Sequence, residues 1–128
     1  MAKLHGIMIC VTRQKTCERL IRFGYELAQK DGADLYVVHA AKVGENYLGN
    51  PNEGEALNYL FQVSKQVGAE MNVIRSKHVT KTLADFARKQ KIAIMVLGAA
   101  PDSASDNKII QELQLHLPQM DFKVLPTA

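Results

Sequence analysis

Five short apolar runs recur along the chain and predict the strands of a sheet. Residues 6–12 and 92–98 are almost uninterruptedly apolar, which is typical of strands that are covered on both faces. Residues 35–40 have the same character, whereas residues 71–74 mix apolar and polar side chains and therefore suit a sheet edge. The last run, at 122–125, predicts a fifth strand near the end of the chain.

The segments between these runs have the apolar spacing of helices. The first helix is predicted to begin at a cap on Thr16 and to end at Asp31 and Gly32, because glycine favours a helix stop. The second is predicted to extend to Gly68, and Pro118 is predicted to end the fourth. The third helix is predicted to bury Val79, Leu83, Phe86 and Ala87 and to expose Lys81, Asp85, Arg88 and Lys89; the fourth is predicted to bury Ile109, Ile110, Leu113 and Leu117.

Strands that alternate with helices in this way indicate an α/β fold with a doubly wound, mainly parallel sheet. Right-handed crossovers place the helices on both faces of such a sheet. Ligands of these folds bind outside the carboxyl ends of the strands, where the strand order reverses. We expect that point between the first and fourth strands, so the loops after Val11 and Leu97 form the predicted site.

Composition agrees with one globular domain spanning residues 1–128. No apolar run approaches the roughly 20 residues that a membrane helix needs, so no membrane contact is expected. The N-terminus lacks a secretory signal and there are only two cysteines, which favours the cytoplasm.

Sixteen basic and thirteen acidic residues are interleaved along the chain, a pattern that does not imply binding to nucleic acid. The net charge of +3 would suit a small anionic ligand if basic side chains gathered at one cleft; scattered, solvated charges are the alternative.

Polar residues at the predicted cleft are the candidates for ligand binding. The set comprises Thr12, Arg13, Gln14, His39, Gly98, Ala99, Ser103, Ser105 and Asn107. Arg13, with Lys15, would supply positive charge to an anion, or would simply be solvated. The hydroxyl and amide groups near Ser105 would hold a phosphate, but Ser105 or Asp106 would equally serve as a helix cap. His39 would contact a base, or would be a packed core histidine.

The sequence contains no recognisable catalytic or metal-binding motif. No nucleophile lies at a motif spacing from a base, and the histidines at 5, 78 and 116 are dispersed. Cys10 is predicted to be buried, and Cys17, near a helix N-terminus, is either redox-sensitive or inert. We therefore expect neither an enzyme nor a metal protein.

Three stretches of the sequence resemble the universal stress protein family across nearly the whole chain. They are ICVTRQKTCERLIR at 9–22, AQKDGADLYVVHA at 28–40 and TLADFARKQKIAIMVLG at 82–98. Within them, CERLIR, LADFAR and VLG are most similar to the universal stress domain in the cytoplasmic part of Kdp-type potassium-sensing histidine kinases. The resemblance implies a fold of the adenine nucleotide alpha hydrolase type with strand order 3-2-1-4-5. It also implies frequent dimerisation through the last strand, here Phe122, Val124 and Leu125.

Many members of that family bind ATP or AMP through a glycine-rich loop, and this chain departs from that loop. Gly98 matches the first glycine of the G-x-x-G pattern, but Pro101 occupies the second and no later G-S or G-T follows. Proline lacks an amide donor, so the phosphate loop cannot form in the usual way. Thr12 replaces the aspartate of ATP-binding relatives and matches the small hydroxyl residue of sensor-kinase relatives. Cyclic di-AMP is a further candidate, although Thr12-Arg13-Gln14 retains only one hydroxyl of the Ser-x-Ser element and Tyr36 lacks its aromatic surroundings.

Three hypotheses about function follow from these observations. The leading one is a non-catalytic ligand-binding or signalling module with a nucleotide-like ligand in the cleft. The second is a domain that acts only in dimerisation or protein interaction, with an inert cleft. The third, ranked last, is a nucleotide-using enzyme, because the same architecture also supports catalysis. The chain is expected to be either a complete small protein or a piece of a larger kinase.

Overall fold

Strands and helices alternate along the chain in the order that the apolar pattern predicts. The computed structural model describes residues 6–11, 14–42, 53–98 and 104–125, and it describes the backbone alone for residues 14–17, 31, 40–42, 53–56 and 104–107. The elements are β1 (Gly6–Cys10), α1 (Gln14–Asp31), β2 (Leu35–Lys42), α2 (Glu53–Gln66), β3 (Glu70–Ser76), α3 (Val79–Lys89), β4 (Ile92–Gly98), α4 (Ala104–His116) and β5 (Asp121–Leu125).

The five strands form one parallel sheet in the order β3-β2-β1-β4-β5. This confirms both the doubly wound α/β fold and the strand order that the family resemblance implies. At the centre of the sheet, Ile9 is paired with Val37 on one side and Val96 on the other. β3 lies at an edge, as its mixed composition predicts, and the strand order reverses between β1 and β4.

The two faces of the sheet are covered by different pairs of helices. Ile9 faces α1 and α2, where it shares a buried cluster with Leu20 and Leu60. Met8, the preceding residue, faces α3 and α4 and shares a second cluster with Leu113. Alternate residues of one strand point to opposite faces, so β1 contributes equally to both halves of the core.

α1 lies close to the sheet because Gly24 has no side chain. A Cβ atom at this position would lie only 2.7 Å from Cγ1 of Ile9, which is far inside van der Waals contact. Glycine is otherwise unfavourable within a helix by about 1 kcal/mol relative to alanine. Its presence here therefore reflects close packing between helix and strand. The helix ends at Asp31, and Gly32 follows with a left-handed φ of 68°, as the predicted stop signal requires.

The predicted helix caps are wrong at two sites. α1 begins at Gln14, so Thr16 lies inside the first turn and not at the cap. α4 begins at Ala104, which also places Ser105 and Asp106 inside the helix. The reason is geometric: the short connection from β1 to α1 lets the helix start before the residue that is chemically suited to cap it. At the other end, α4 stops at His116, one residue before Leu117.

Candidate functional site

The carboxyl ends of β1 and β4 form the point where the strand order reverses. Val11 follows β1, is buried, and donates its backbone N–H to the carbonyl oxygen of Val38 at 2.9 Å. α1 and α4 begin at Gln14 and Ala104, just beyond these strand ends. Both helix N-termini therefore lie at this edge of the sheet, where their backbone dipoles favour an anion.

His39 is buried at this edge and holds two strands together. It belongs to β2, on the face that α1 and α2 cover, and its side chain is only 2% exposed. Its Nδ1 lies 2.5 Å from the carbonyl oxygen of Val11. Because a carbonyl oxygen only accepts, this contact requires the tautomer with a proton on Nδ1. The histidine is thus packed and positions the end of β1, and its predicted contact with a ligand stays a prediction.

Gly98 is the last residue of β4 and lies beside α1. A Cβ atom here would meet Cδ1 of Leu20 at 3.4 Å, an ordinary packing distance. The packing of the described residues therefore accommodates alanine at this position, in contrast to Gly24. A role for Gly98 in approaching a ligand is consistent with this geometry but stays a prediction.

The structure brings some of the other candidates to the same edge and leaves the rest outside the described residues. Gln14 opens α1, and Ser105 and Asn107 lie in the first turn of α4, so their backbones lie in the first turns of the two helices that begin at this edge. The candidates that lie outside the described residues are Thr12, Arg13, Ala99 and Ser103, together with Pro101.

Cys10, the last residue of β1, is buried on the opposite face, below α3 and α4. Burial raises the pKa of its thiol to about 12, because a thiolate is poorly solvated in an apolar surrounding. The thiol is therefore protonated at neutral pH, in agreement with the prediction of a core cysteine. In the described part of the chain, no three side chains of metal-binding type come together.

A second depression lies between α3 and α4 and was not predicted from the sequence. It has a volume of about 340 Å³. Its lining residues are Lys77, His78, Val79, Thr80, Lys81, Lys108, Ile109, Glu112 and His116. In the sequence, the spacing of Lys108, Glu112 and His116 by four residues places these side chains on one face of a helix. This spacing does not reveal that the start of α3 lies opposite them, because residues 77–81 precede residues 108–116 by about 30 positions.

None of the helices within the described ranges is long and apolar enough to cross a membrane.

Comparison with known proteins agrees with the resemblance found in the sequence. A sequence model of the universal stress protein family matches residues 4–107. The sensor protein KdpD of Mycobacterium tuberculosis is 28% identical over 94 residues, which are 73% of this chain and 11% of that protein. The chain thus spans about a tenth of the length of the curated relatives that it matches.

Solved structures of similar proteins have the same fold. The universal stress protein UspA from Lactobacillus plantarum superposes with a TM-score of 0.76 at 16% identity, covering 98% of this chain and 99% of that one. The universal stress protein from Archaeoglobus fulgidus in complex with dAMP superposes with a TM-score of 0.63 at 20% identity, covering 98% of both chains. The family match spans most of the residues, and this chain belongs to the universal stress protein family.

Proposed function

We propose that this chain is a non-catalytic signalling module that binds a nucleotide at the carboxyl edge between β1 and β4. The observation that carries the proposal is the reversal of strand order between β1 and β4. α1 follows β1 and α4 follows β4, so the N-termini of both helices lie at this edge, on opposite faces of the sheet. Two helix N-termini provide backbone donors and positive potential for a phosphate group.

Similar proteins support a nucleotide as the ligand. The structure from Archaeoglobus fulgidus contains dAMP, and the similar protein from Mycobacterium tuberculosis is a sensor protein. Pro101 interrupts the usual glycine-rich loop, so we propose that the phosphate is held by the helix N-termini and by Arg13. His39 supports this crevice indirectly, since its hydrogen bond fixes the carbonyl of Val11, the residue that follows β1.

A non-catalytic role fits the chemistry of the described residues. The thiol of Cys10 has a pKa of about 12 and is not a nucleophile at neutral pH. The sequence shows no nucleophile and base at a motif spacing. We propose that binding itself is the output, through a change in the stability or shape of the carboxyl edge. The cytoplasmic location stays a prediction.

The proposal is tested by thermal unfolding in the presence of ATP, ADP, AMP, dAMP and cyclic di-AMP. Ligand that binds the native state raises stability by RT ln(1 + [L]/Kd), about 2.7 kcal/mol at a hundredfold excess over Kd. We expect a saturable rise in Tm with at least one nucleotide and none with its nucleoside. Direct calorimetric titration would then give the affinity of that nucleotide.

A matched pair of variants separates the site from general charge effects. Arg13→Ala removes a cation at the proposed site and is expected to lower the affinity about tenfold, which corresponds to 1.4 kcal/mol. Arg22→Ala removes the same charge from an exposed position on α1, where the guanidinium pairs with Glu18, and is expected to leave binding unchanged. Equal losses in both variants, or no Tm rise with any nucleotide, would refute nucleotide binding at this edge.

Dimerisation through β5 is the second candidate function. β5 is an edge strand, and Val124 on it is 39% exposed. Phe122 and Leu125 are half-buried and pack against the two halves of the core, so Val124 offers the exposed apolar contact of the three. An unpaired strand edge invites pairing with a second copy of the chain.

Sedimentation analysis tests this second function. If β5 mediates a dimer, Val124→Lys is expected to shift the protein to monomer, because it places a charge at the interface. Leu115→Lys, at an 82% exposed position on α4, is the control and should leave the dimer intact. A wild-type monomer at all concentrations would exclude this function.

A further inference from the structure

We propose that the cleft between α3 and α4 is a second binding site, specific for a small molecule that carries a diphosphate or polyphosphate group. It is separate from the nucleotide site proposed above. None of its described lining residues belongs to β1, to β4 or to Val11.

The cleft has the size and the walls of a small-molecule site. Its volume of about 340 Å³ falls in the range of roughly 300–1,000 Å³ that ligand pockets occupy. One wall is the beginning of α3 and the other is one side of α4. Val79 is buried and Ile109 is half-buried in this lining, so the cleft also has an apolar surface for the uncharged part of a ligand.

Three of the described lining residues are lysines. Lys77 precedes α3, Lys81 lies in its first turn, and Lys108 lies on α4. Glu112 is the only carboxylate among the described lining residues. In this described lining, three lysines against one carboxylate leave a charge of +2 before either histidine is protonated. A multiply charged anion matches this arrangement, and a phosphate ester carries more than one negative charge at neutral pH.

The carboxylate of Glu112 is already engaged and does not oppose an anion strongly. The hydroxyl of Thr80 donates to its Oε2 at 2.6 Å, and the ammonium of Lys108 lies 4.0 Å from its Oε1. Among the described residues, neither Lys77 nor Lys81 forms an ion pair with a carboxylate. Their charges are therefore available to a ligand.

The start of α3 adds to the positive potential of the cleft. The side chain of His78 at the N-cap makes no capping hydrogen bond, and the first turn contains no acidic residue. The positive end of the helix dipole is normally offset by such groups, and lysines beside it are unfavourable. A bound polyphosphate would reverse this penalty, because it supplies the missing negative charge to both the lysines and the helix end.

Titration with pyrophosphate, followed by amide resonances in ¹⁵N NMR spectra of the whole chain, tests the proposal. We expect saturable shifts for residues 77–81 and 108–116, the two walls of the cleft. The double variant Lys81→Gln/Lys108→Gln is expected to weaken binding about tenfold or more. The control, Lys30→Gln/Lys65→Gln, removes the same charge from exposed positions at the ends of α1 and α2 and should change the affinity by less than about twofold.

Three outcomes would overturn the proposal. They are shifts that do not saturate up to about 10 mM, the range of very weak affinity; equal weakening in both double variants; or shifts confined to the residues around Val11 and Gly98. The last outcome would assign the pyrophosphate to the nucleotide site. Because the substituted lysines are exposed and on helix surfaces, well-dispersed spectra of the variants show directly that the fold is intact.

Discussion

The two faces of the sheet are packed in different ways, although the same strand supplies both. On the side of α1 and α2, Ile9 is fully buried and a glycine brings the helix into direct contact with it. On the side of α3 and α4, the fully buried Met8 and Met95 occupy the centre. Next to them, Tyr36 and Phe86 form an edge-to-face pair with ring centroids 5.8 Å apart. Both clusters contain many branched residues, but methionines are among the fully buried residues of the second face alone.

The difference in packing between the two faces bears on the two proposed binding sites. On the first face, Gly24 lets α1, whose N-terminus borders the proposed nucleotide site, approach the sheet closely. The opposite face carries the cleft between α3 and α4, and no methionine is among its described lining residues. We infer that one face sets the geometry of the carboxyl edge while the other accommodates a depression without loss of the fold.

The largest loss of unfolding free energy is expected for Ile9→Ala. We compare it with Met8→Ala, which truncates the neighbouring residue on the opposite face of the sheet. Burial predicts losses of about 2–5 kcal/mol for either change. We expect about 4 kcal/mol for Ile9→Ala, because the branched surroundings cannot refill the cavity, and about 2–3 kcal/mol for Met8→Ala, because Met95 can partly do so. Urea unfolding gives both values. An equal or larger loss in Met8→Ala would contradict the comparison.

Gly24→Ala has the next largest expected effect. The added methyl group would lie 2.7 Å from Cγ1 of Ile9, and overpacking of this kind costs about 1–3 kcal/mol. Without the close approach, alanine would instead stabilise the helix by about 1 kcal/mol. A gain in unfolding free energy would therefore show that α1 does not lie this close to the sheet.

The double variant Gly24→Ala/Ile9→Val serves as the control for the preceding prediction. Valine lacks the Cδ1 atom of isoleucine, which also lies against the position of the added methyl group. Residues in direct contact give non-additive losses. The double variant should therefore lose less stability than the sum of the losses of the two single variants. Strict additivity would mean that the destabilisation by Gly24→Ala does not arise from its contact with Ile9.

The smallest expected effect concerns Cys10 at alkaline pH. Its thiol has a pKa of about 12 in the folded protein against 9.0 for an exposed thiol, so above pH 9 the unfolded chain loses a proton that the folded one keeps. Unfolding then becomes more favourable as pH rises, with a slope that grows toward about 1.4 kcal/mol per pH unit. Because the unfolded thiol is already half ionised at pH 9, the stability advantage of wild type over Cys10→Ala should shrink by about 1 kcal/mol between pH 9 and pH 10. A constant difference would mean that the thiol is accessible to water.

The fold was largely predictable because the strongest signals come from buried strands. β1 and β4 are recognisable as uninterrupted apolar runs, and β3 as an edge strand from its mixed composition. The helix starts were less predictable. Thr16 and Ser105 have the chemistry of caps, but the helices begin before them, since the length of the preceding connection also decides where a helix begins.

The candidate site was predictable in its location and only partly in its detail. The crevice between β1 and β4 follows from the connection order, and His39 lies at that edge as expected. Its hydrogen bond to Val11, 28 positions away, has no local signal in the sequence. The cleft between α3 and α4 was missed for the same reason, since its central contact joins Thr80 to Glu112 across 32 positions.

The sequence by itself determined the fold class, the family and the edge of the sheet at which a ligand is expected. These properties depend on local periodicity, on motif order and on the handedness of crossovers, all of which act over short stretches of chain. The tertiary structure alone decided which side chains meet. The contact of Gly24 with Ile9, the bond between His39 and Val11, and the charged cleft between the last two helices all join distant positions. Their formation depends on the interlocking of whole elements, which no local pattern encodes.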